Sequence, residues 1–333
     1  MNPKQNLPDS LPVRIVMKSI SLLLLLASAV NFGQKIKHLE SFKDMGTESY
    51  LRLNYENDFF AATDKNYTQG YSFEFVDPLF EKNPIQFAFV KPKHTSNTFG
   101  ITIEHIGFTP SDFVSPEIQM GDRPFAAALY LKSFTVSLDT VHKTRWSQSL
   151  SLGLIGPGAF GREMQTKIHA LTGNKIPGGW DNQIQNDVVL NYGMHFEKQW
   201  FRYRDIVSLQ SIASFQLGTL FTNASIGLNT TIGVLGSPFS LPGNPSKFNV
   251  FVYAQPMVTG VGYDATLQGG VFTTDNRYRI AANDLERVTA QLDFGLIVRC
   301  SNVYLEYARS TITKEFKTGS TADWGGFKIG IVL

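Results

Sequence analysis

Apolar and polar residues alternate along most of this chain with a two-residue period, which places one kind on each face of a β-strand. In 48–56, Leu51, Leu53 and Tyr55 share one face, and Arg52, Asn54 and Glu56 share the other. Tyr71, Phe73 and Phe75 then oppose Ser72 and Glu74. The same period marks 97–106, 126–139, 146–156, 187–202, 206–218, 221–234, 247–258, 288–300, 302–313 and 322–333. Those segments make twelve strands, several long enough to cross a bilayer at the usual tilt, which takes about 9–11 residues. An even number of two-faced strands predicts an all-β fold, a twelve-stranded antiparallel transmembrane β-barrel.

The connections are unequal, and their order gives the barrel a direction. Short turns at 142–144, 203–205 and 300–301 all join an even strand to an odd one. Long insertions at 57–67, 107–125, 157–186 and 259–287 all join odd to even. Short periplasmic turns with long outer loops are the outer-membrane pattern. The segment 77–96 breaks it, being long and at the short-turn end. One long insertion carries a short helix, because Phe160, Met164, Ile168 and Leu171 recur at three- and four-residue spacing between Gly161 and Gly173. His169 lies beside that apolar stripe, which is expected to face the β-scaffold, with the helix in or over the barrel mouth.

Composition narrows the class. The chain has 30 basic and 28 acidic residues, only 17% charged and 13% aromatic, with 28 Gly. No clustered basic face marks a nucleic-acid partner, and the mean hydropathy of −0.09 is far below that of a helical membrane protein. Cys300 is the only cysteine, which excludes an internal disulfide framework and a multi-thiolate metal site. Met17-Lys18 followed by SISLLLLLASAV reads as an export signal, too short for a stable span. The expected organisation is a signal peptide (1–33), an N-terminal linker (34–47) and one barrel domain (48–333). No P-loop, GxSxG, HExxH or CxxC occurs.

Polar residues that could carry chemistry gather in the long loops. Asn57-Asp58 ends the first strand, with Asp64 and Thr68 flanking the second. Thr109, Ser111, Asp112, Asp122 and Arg123 lie in the next long loop, and His169, Trp180, Asp181 and Asn182 in the third. Each has a bland reading: Asn57-Asp58 as a turn pair, Asp122-Arg123 as a loop ion pair, His169 as a packed helix residue, Trp180 as an interfacial belt residue. His105 and His195 lie in strands without comparable neighbours.

In order, the motifs are NDFFAATDKNYTQG, FTPSD, GDRPFAAALY, GPGAFGREMQTKIH and GWDNQIQND. This ordered set resembles the outer-membrane lipid A deacylase family (LpxR-type). The resemblance implies a twelve-stranded barrel that removes the 3′-linked acyloxyacyl chain from lipid A with Ca²⁺. It would make His169 the general base, Asn57 and Asp58 the calcium and active-site pair, and Thr68 a nearby contributor. No residue matches the family's active-site lysine, and Arg123 is the candidate for a similar cation. Two departures stand out: Phe125-Ala126-Ala127-Ala128 replaces the usual Tyr-Ala-Gly-Trp, and Asp187 stands where Glu is more usual.

The implied chemistry is self-consistent. Imidazole is the side chain suited to deprotonate water near neutral pH, and a calcium ion held by oxygens would oppose the developing oxyanion. The expected protein is an outer-membrane ester hydrolase whose partner is lipid A or lipopolysaccharide, with its site at the extracellular face and no obligate protein partner. The rivals are a phospholipase-type acyl hydrolase and a non-enzymatic small barrel.

Overall fold

The alternating segments fold as β1 (Tyr50–Asn57), β2 (Asn66–Val76), β3 (Ser96–Thr109), β4 (Ala126–Asp139), β5 (Thr144–Ile155) and β6 (Asp187–Tyr203). They continue as β7 (Val207–Gly218), β8 (Phe221–Val234), β9 (Phe248–Asp264), β10 (Val288–Cys300), β11 (Val303–Ile312) and β12 (Ala322–Val332). Every strand is antiparallel to its neighbours, and β1 pairs with both β2 and β12, so the sheet closes into a barrel. The computed structural model describes residues 39–61, 66–241 and 248–333. The signal-peptide segment and Asp64 lie outside the described residues.

The alternation puts polar side chains in and apolar ones out, the arrangement of a barrel whose outer solvent is hydrocarbon. On β1, Arg52, Asn54 and Glu56 are buried in the lumen. Outward-pointing Leu53, Phe73, Ile103, Leu131, Leu152 and Leu190 are all exposed. Inward residues from strands around the whole circumference, among them Tyr67, Ile106, Phe108, Ala128, Phe221, Ile312 and Trp324, form one cluster near the long-loop end. That cluster fixes which parity of each strand faces the lumen.

Buried side chains pack into the lumen at both ends. At the short-turn end, residues read from sequence as a linker turn inward as a plug: Glu40, Ser41, Phe42, Lys43 and Met45 are buried. Lys43 pairs with Glu306 of β11 at 3.3 Å, and Asp44 pairs with Arg145 of β5. The Ser41 backbone N–H donates to Glu197 of β6 at 2.7 Å, and Phe42 packs on Tyr253 of β9 at 4.6 Å between centroids. At the other end, Arg123 pairs with Glu315, donates to the Thr266 hydroxyl at 2.8 Å and lies 4.1 Å over the Phe108 ring. Tyr278 donates to the Asp122 carbonyl at 2.7 Å, and partial burial pushes its phenol above the ordinary value. Between the two ends is a lumen cavity of about 150 Å³ whose lining mixes polar Glu104, Lys132 and Asn191 with apolar Ile106, Leu220 and Phe221.

Strand β9 runs to Asp264, further than alternation alone predicts, and is followed by α2 (Ala265–Gln268), capped when the Asp264 carboxylate accepts from the Thr266 N–H at 2.8 Å. The earlier helix, α1 (Gly161–Thr172), is the predicted one. It does not enter the mouth; it lies against the outer wall.

Candidate active site on the outer wall

Strand parity places α1. On β4, Ala126, Ala128 and Tyr130 face the lumen, so Ala127 and Leu129 face outward. A Cβ built on Gly161 would lie 2.5 Å from the Ala127 Cβ and 2.7 Å from the Trp180 ring, so the helix start sits directly on the outside of β4. Only a residue without a side chain permits that approach. Around the contact, Phe113, Phe125, Ala127, Ala159 and Trp180 form a separate apolar cluster outside the barrel.

The face that α1 turns to the wall is not its apolar stripe. Gly161, Gln165 and His169, spaced by four, are the buried positions. Phe160 is 54% exposed and Leu171 87%, with Met164 and Ile168 partly exposed. The stripe lies on the flank of the helix instead, between this buried face and the exposed Glu163 and Lys167.

Beneath α1 the imidazole is held in one orientation. His169 Nδ1 lies 2.6 Å from the Lys175 carbonyl, so Nδ1–H donates and Nε2 keeps its lone pair. The Phe113 ring meets the imidazole edge-on at 5.4 Å. One turn earlier, Gln165 is fully buried and its Oε1 accepts the Trp180 indole N–H at 2.7 Å. Its amide nitrogen has no hydrogen-bond partner among the described residues, the kind of buried group that calls for an absent water or ligand. Sequence reasoning passed over Gln165, and read Trp180 as a belt residue; a Gln four before the His was the available signal.

The wall below carries polar side chains on its outward face at the long-loop ends of β1, β2 and β3. Asn57 has the parity of outward Leu53 and Tyr55, and its amide donates to the Thr68 carbonyl at 2.6 Å. Thr68 is the extra residue of an irregularity between Tyr67 and Gln69, and its hydroxyl lies 2.5 Å from that of Thr109. Bulges of this kind re-aim side chains beside active sites. His105, also outward on β3, does have a neighbour: its Nε2–H donates to the Ala159 carbonyl at 3.0 Å, just before α1. Asp58 is buried and opens the 3-10 turn Asp58–Ala61, whose Phe60 leans on outward Phe327 at 5.2 Å.

His169, Asn57, Thr68 and Thr109 thus belong to one side of the wall. Arg123 does not, since its partners Glu315, Thr266 and Phe108 place it over the lumen mouth. Asp187 anchors a loop instead of reaching the site, accepting from the Phe272 and Thr273 backbone N–H groups at 2.6 and 2.8 Å.

The sequence profile of the family described as "Outer membrane protein LpxR" matches residues 19–333. The chain belongs to this family. Its fold aligns with LpxR from Salmonella typhimurium at a TM-score of 0.70 and 20% identity, over 86% of this chain and all of that one. Far weaker likenesses join it to the β domain of the Bordetella autotransporter BrkA (TM-score 0.44, 8% identity, 86% of this chain and 99% of that one). The translocator domain of NalP from Neisseria meningitidis gives 0.41 and 10% over 97% of each chain. A comparison with curated protein sequences finds no match. As an LpxR-family barrel, the protein resides in the outer membrane, where outward Leu and Phe side chains meet lipid.

Proposed function

We propose that this LpxR-family barrel hydrolyses an ester of lipid A, removing the 3′-linked acyloxyacyl chain at the extracellular face. The observation that carries the reading is the placement of an oriented histidine on the lipid side of the wall, on the buried face of a helix laid against β4. A lipid ester in the outer leaflet would reach that side without leaving the membrane.

His169 Nε2, kept as an acceptor by the Nδ1–H bond to Lys175, takes a proton from water as the water attacks the acyl carbonyl. The unsatisfied Gln165 amide donates to the oxygen on which negative charge develops. The tetrahedral species collapses by breaking the bond to the sugar-side oxygen, and the imidazolium returns its proton to that oxygen. A carboxylic acid and a free hydroxyl result.

A calcium requirement fits the donor set. Asn57 and Asp58 offer adjacent hard oxygen donors, as calcium prefers. Among the described residues no group of three or more His, Cys, Asp or Glu could hold a metal, so carbonyl, water or substrate oxygens would fill the remaining positions. When bound there, the ion would supply positive charge to polarise the ester carbonyl.

Mass spectrometry of lipid A from membranes bearing the wild type or His169→Ala, with Ca²⁺ or a chelator, tests this reading. The wild type with Ca²⁺ should remove one acyloxyacyl mass, and His169→Ala should be slower by about 100- to 10,000-fold. Intact lipid A with cleaved glycerophospholipid would move the substrate to phospholipid, and no cleavage of either by a folded barrel would sink the enzymatic reading.

A further inference from the structure

The 77–95 connection is the long segment at the short-turn end, and it folds back along the outside of the barrel. Asp77 caps its first turn, its carboxylate accepting from the Leu79 N–H at 2.9 Å and the Ser49 hydroxyl at 2.7 Å. Two 3-10 turns follow, Pro78–Lys82 and Pro84–Ala88. Phe80 packs edge-on against outward Phe75 of β2 at 5.2 Å. Asn83 donates to the outward Ser133 hydroxyl of β4 at 3.2 Å. Val90 exchanges two hydrogen bonds with outward Gln148 of β5, at 2.9 and 2.6 Å. Phe89 then reaches Tyr192 of β6 at 6.4 Å between centroids. The segment is a belt across the outer faces of β2 to β6.

What the belt covers explains why it is there. On β4, Phe134 and Val136 belong to the lumen cluster, so Ser133, Thr135 and Ser137 point outward, with Gln148 opposite Thr135 on β5. All four are 1% exposed or less. Bare, they would project hydroxyl and amide groups into hydrocarbon, which is costly without partners. The belt takes their place at the surface and presents Leu79, Phe87 and Val90 instead, Phe87 being 89% exposed. These join the apolar outer surface that continues on the other strands. Around them lie exposed Lys82, Lys91 and Lys93, none ion-paired among the described residues, with Lys91 Nζ 4.9 Å over the Phe99 ring.

We infer that this belt is a lipid-binding surface for anionic phospholipid in the periplasmic leaflet. The short turns of outer-membrane barrels face the periplasm. Leu79, Phe87 and Val90 sit among the acyl chains there, and Lys82, Lys91 and Lys93 meet phosphate headgroups. The pairing of exposed aromatic and aliphatic side chains with unpaired lysines is how interfacial segments hold charged bilayers.

The test uses the full barrel in neutral detergent, titrated with phosphatidylglycerol or phosphatidylcholine and read by native mass spectrometry. The wild type should retain phosphatidylglycerol preferentially. Lys82→Gln, Lys91→Gln and Lys93→Gln combined should weaken that binding on the order of 100-fold, from roughly 1 kcal/mol per lysine at 1.4 kcal/mol per decade. A second readout is Phe87→Trp in bilayers, whose added fluorescence should be quenched by brominated acyl chains and not by iodide. Equal retention of the two lipids, or phosphatidylglycerol binding unmoved by the triple substitution, overturns the headgroup assignment. Quenching by iodide alone overturns the place of the belt in the leaflet. All positions involved are exposed, and heat-dependent gel mobility verifies that each variant is folded. Neither readout depends on hydrolysis.

Discussion

At the scale of single residues, the site turns on three positions of α1 that face the wall, and each supports a separate test. Gln165 gives its carbonyl to Trp180 and keeps an unsatisfied buried amide. If that amide meets the oxyanion, Gln165→Leu should lower kcat about 100- to 1,000-fold with little change in KM, the usual loss for one such donor. Trp180→Phe, which keeps the ring and removes only the donor to Gln165, should cost much less. Steady-state kinetics on both variants decides, and equal losses would reduce Gln165 to a packing residue. Gly161→Val would thrust a side chain into Ala127 and Trp180. It should lift the helix start at a cost of about 1–3 kcal/mol, cutting activity while gel mobility shows an intact barrel. His169 could be singled out in the sequence because it stands in an otherwise non-strand segment, and the structure puts it on the buried face of α1. The position of Arg123 over the lumen mouth was not legible, because its partner Glu315 is 192 residues further on. Sequence proximity to the family motif carried no information about which side of the wall it faces.

At the scale of elements, the strands were legible almost to their ends, since a period of two on a closed sheet has only one way to bury its polar face. The helix was equally legible in position and wrong in polarity. Its apolar stripe, Phe160, Met164, Ile168 and Leu171, was expected to pack inward, as it would in water. The face with Gly161, Gln165 and His169 seals against β4, and the apolar stripe lies on the flank beside exposed Glu163 and Lys167. Its exposed members, Phe160 and Leu171, are free to serve substrate access in the proposed reaction. Phe160→Ser with Leu171→Ser should leave hydrolysis of detergent-dispersed lipid nearly unchanged and slow hydrolysis of lipid in intact outer-membrane vesicles several-fold. Equal slowing in both formats would mean that the stripe supports the helix itself. A lipid surround does explain the 77–95 segment, whose outward Leu79, Phe87 and Val90 look like errors for a periplasmic loop and fit a belt in lipid.

At the scale of the whole molecule, the wall separates two kinds of polar chemistry. The lumen holds the charges that stabilise the barrel, and the outer face holds the groups proposed to act on lipid. Glu306 is the clearest lumen example. It accepts from the Tyr253 and Tyr304 hydroxyls at 2.7 and 2.6 Å and pairs with Lys43 at 3.3 Å and Lys328 at 3.4 Å, all of them buried. Removing its charge leaves the buried Lys43 and Lys328 ammonium groups with only the Glu40, Asp293 and Glu56 carboxylates to offset them, and breaking a buried pair from one side costs up to about 3–5 kcal/mol. Glu306→Gln should therefore lower the temperature at which the barrel loses its folded gel mobility. Adding Lys43→Met should recover part of the loss, because one of the two mutually repelling ammonium groups is gone. Below that transition temperature, lipid hydrolysis by Glu306→Gln should match the wild type, since nothing the carboxylate touches lies on the outward face. A folded Glu306→Gln barrel that had lost hydrolysis would show that the chemistry runs through the lumen, and the assignment of the site to the outer wall would fall with it.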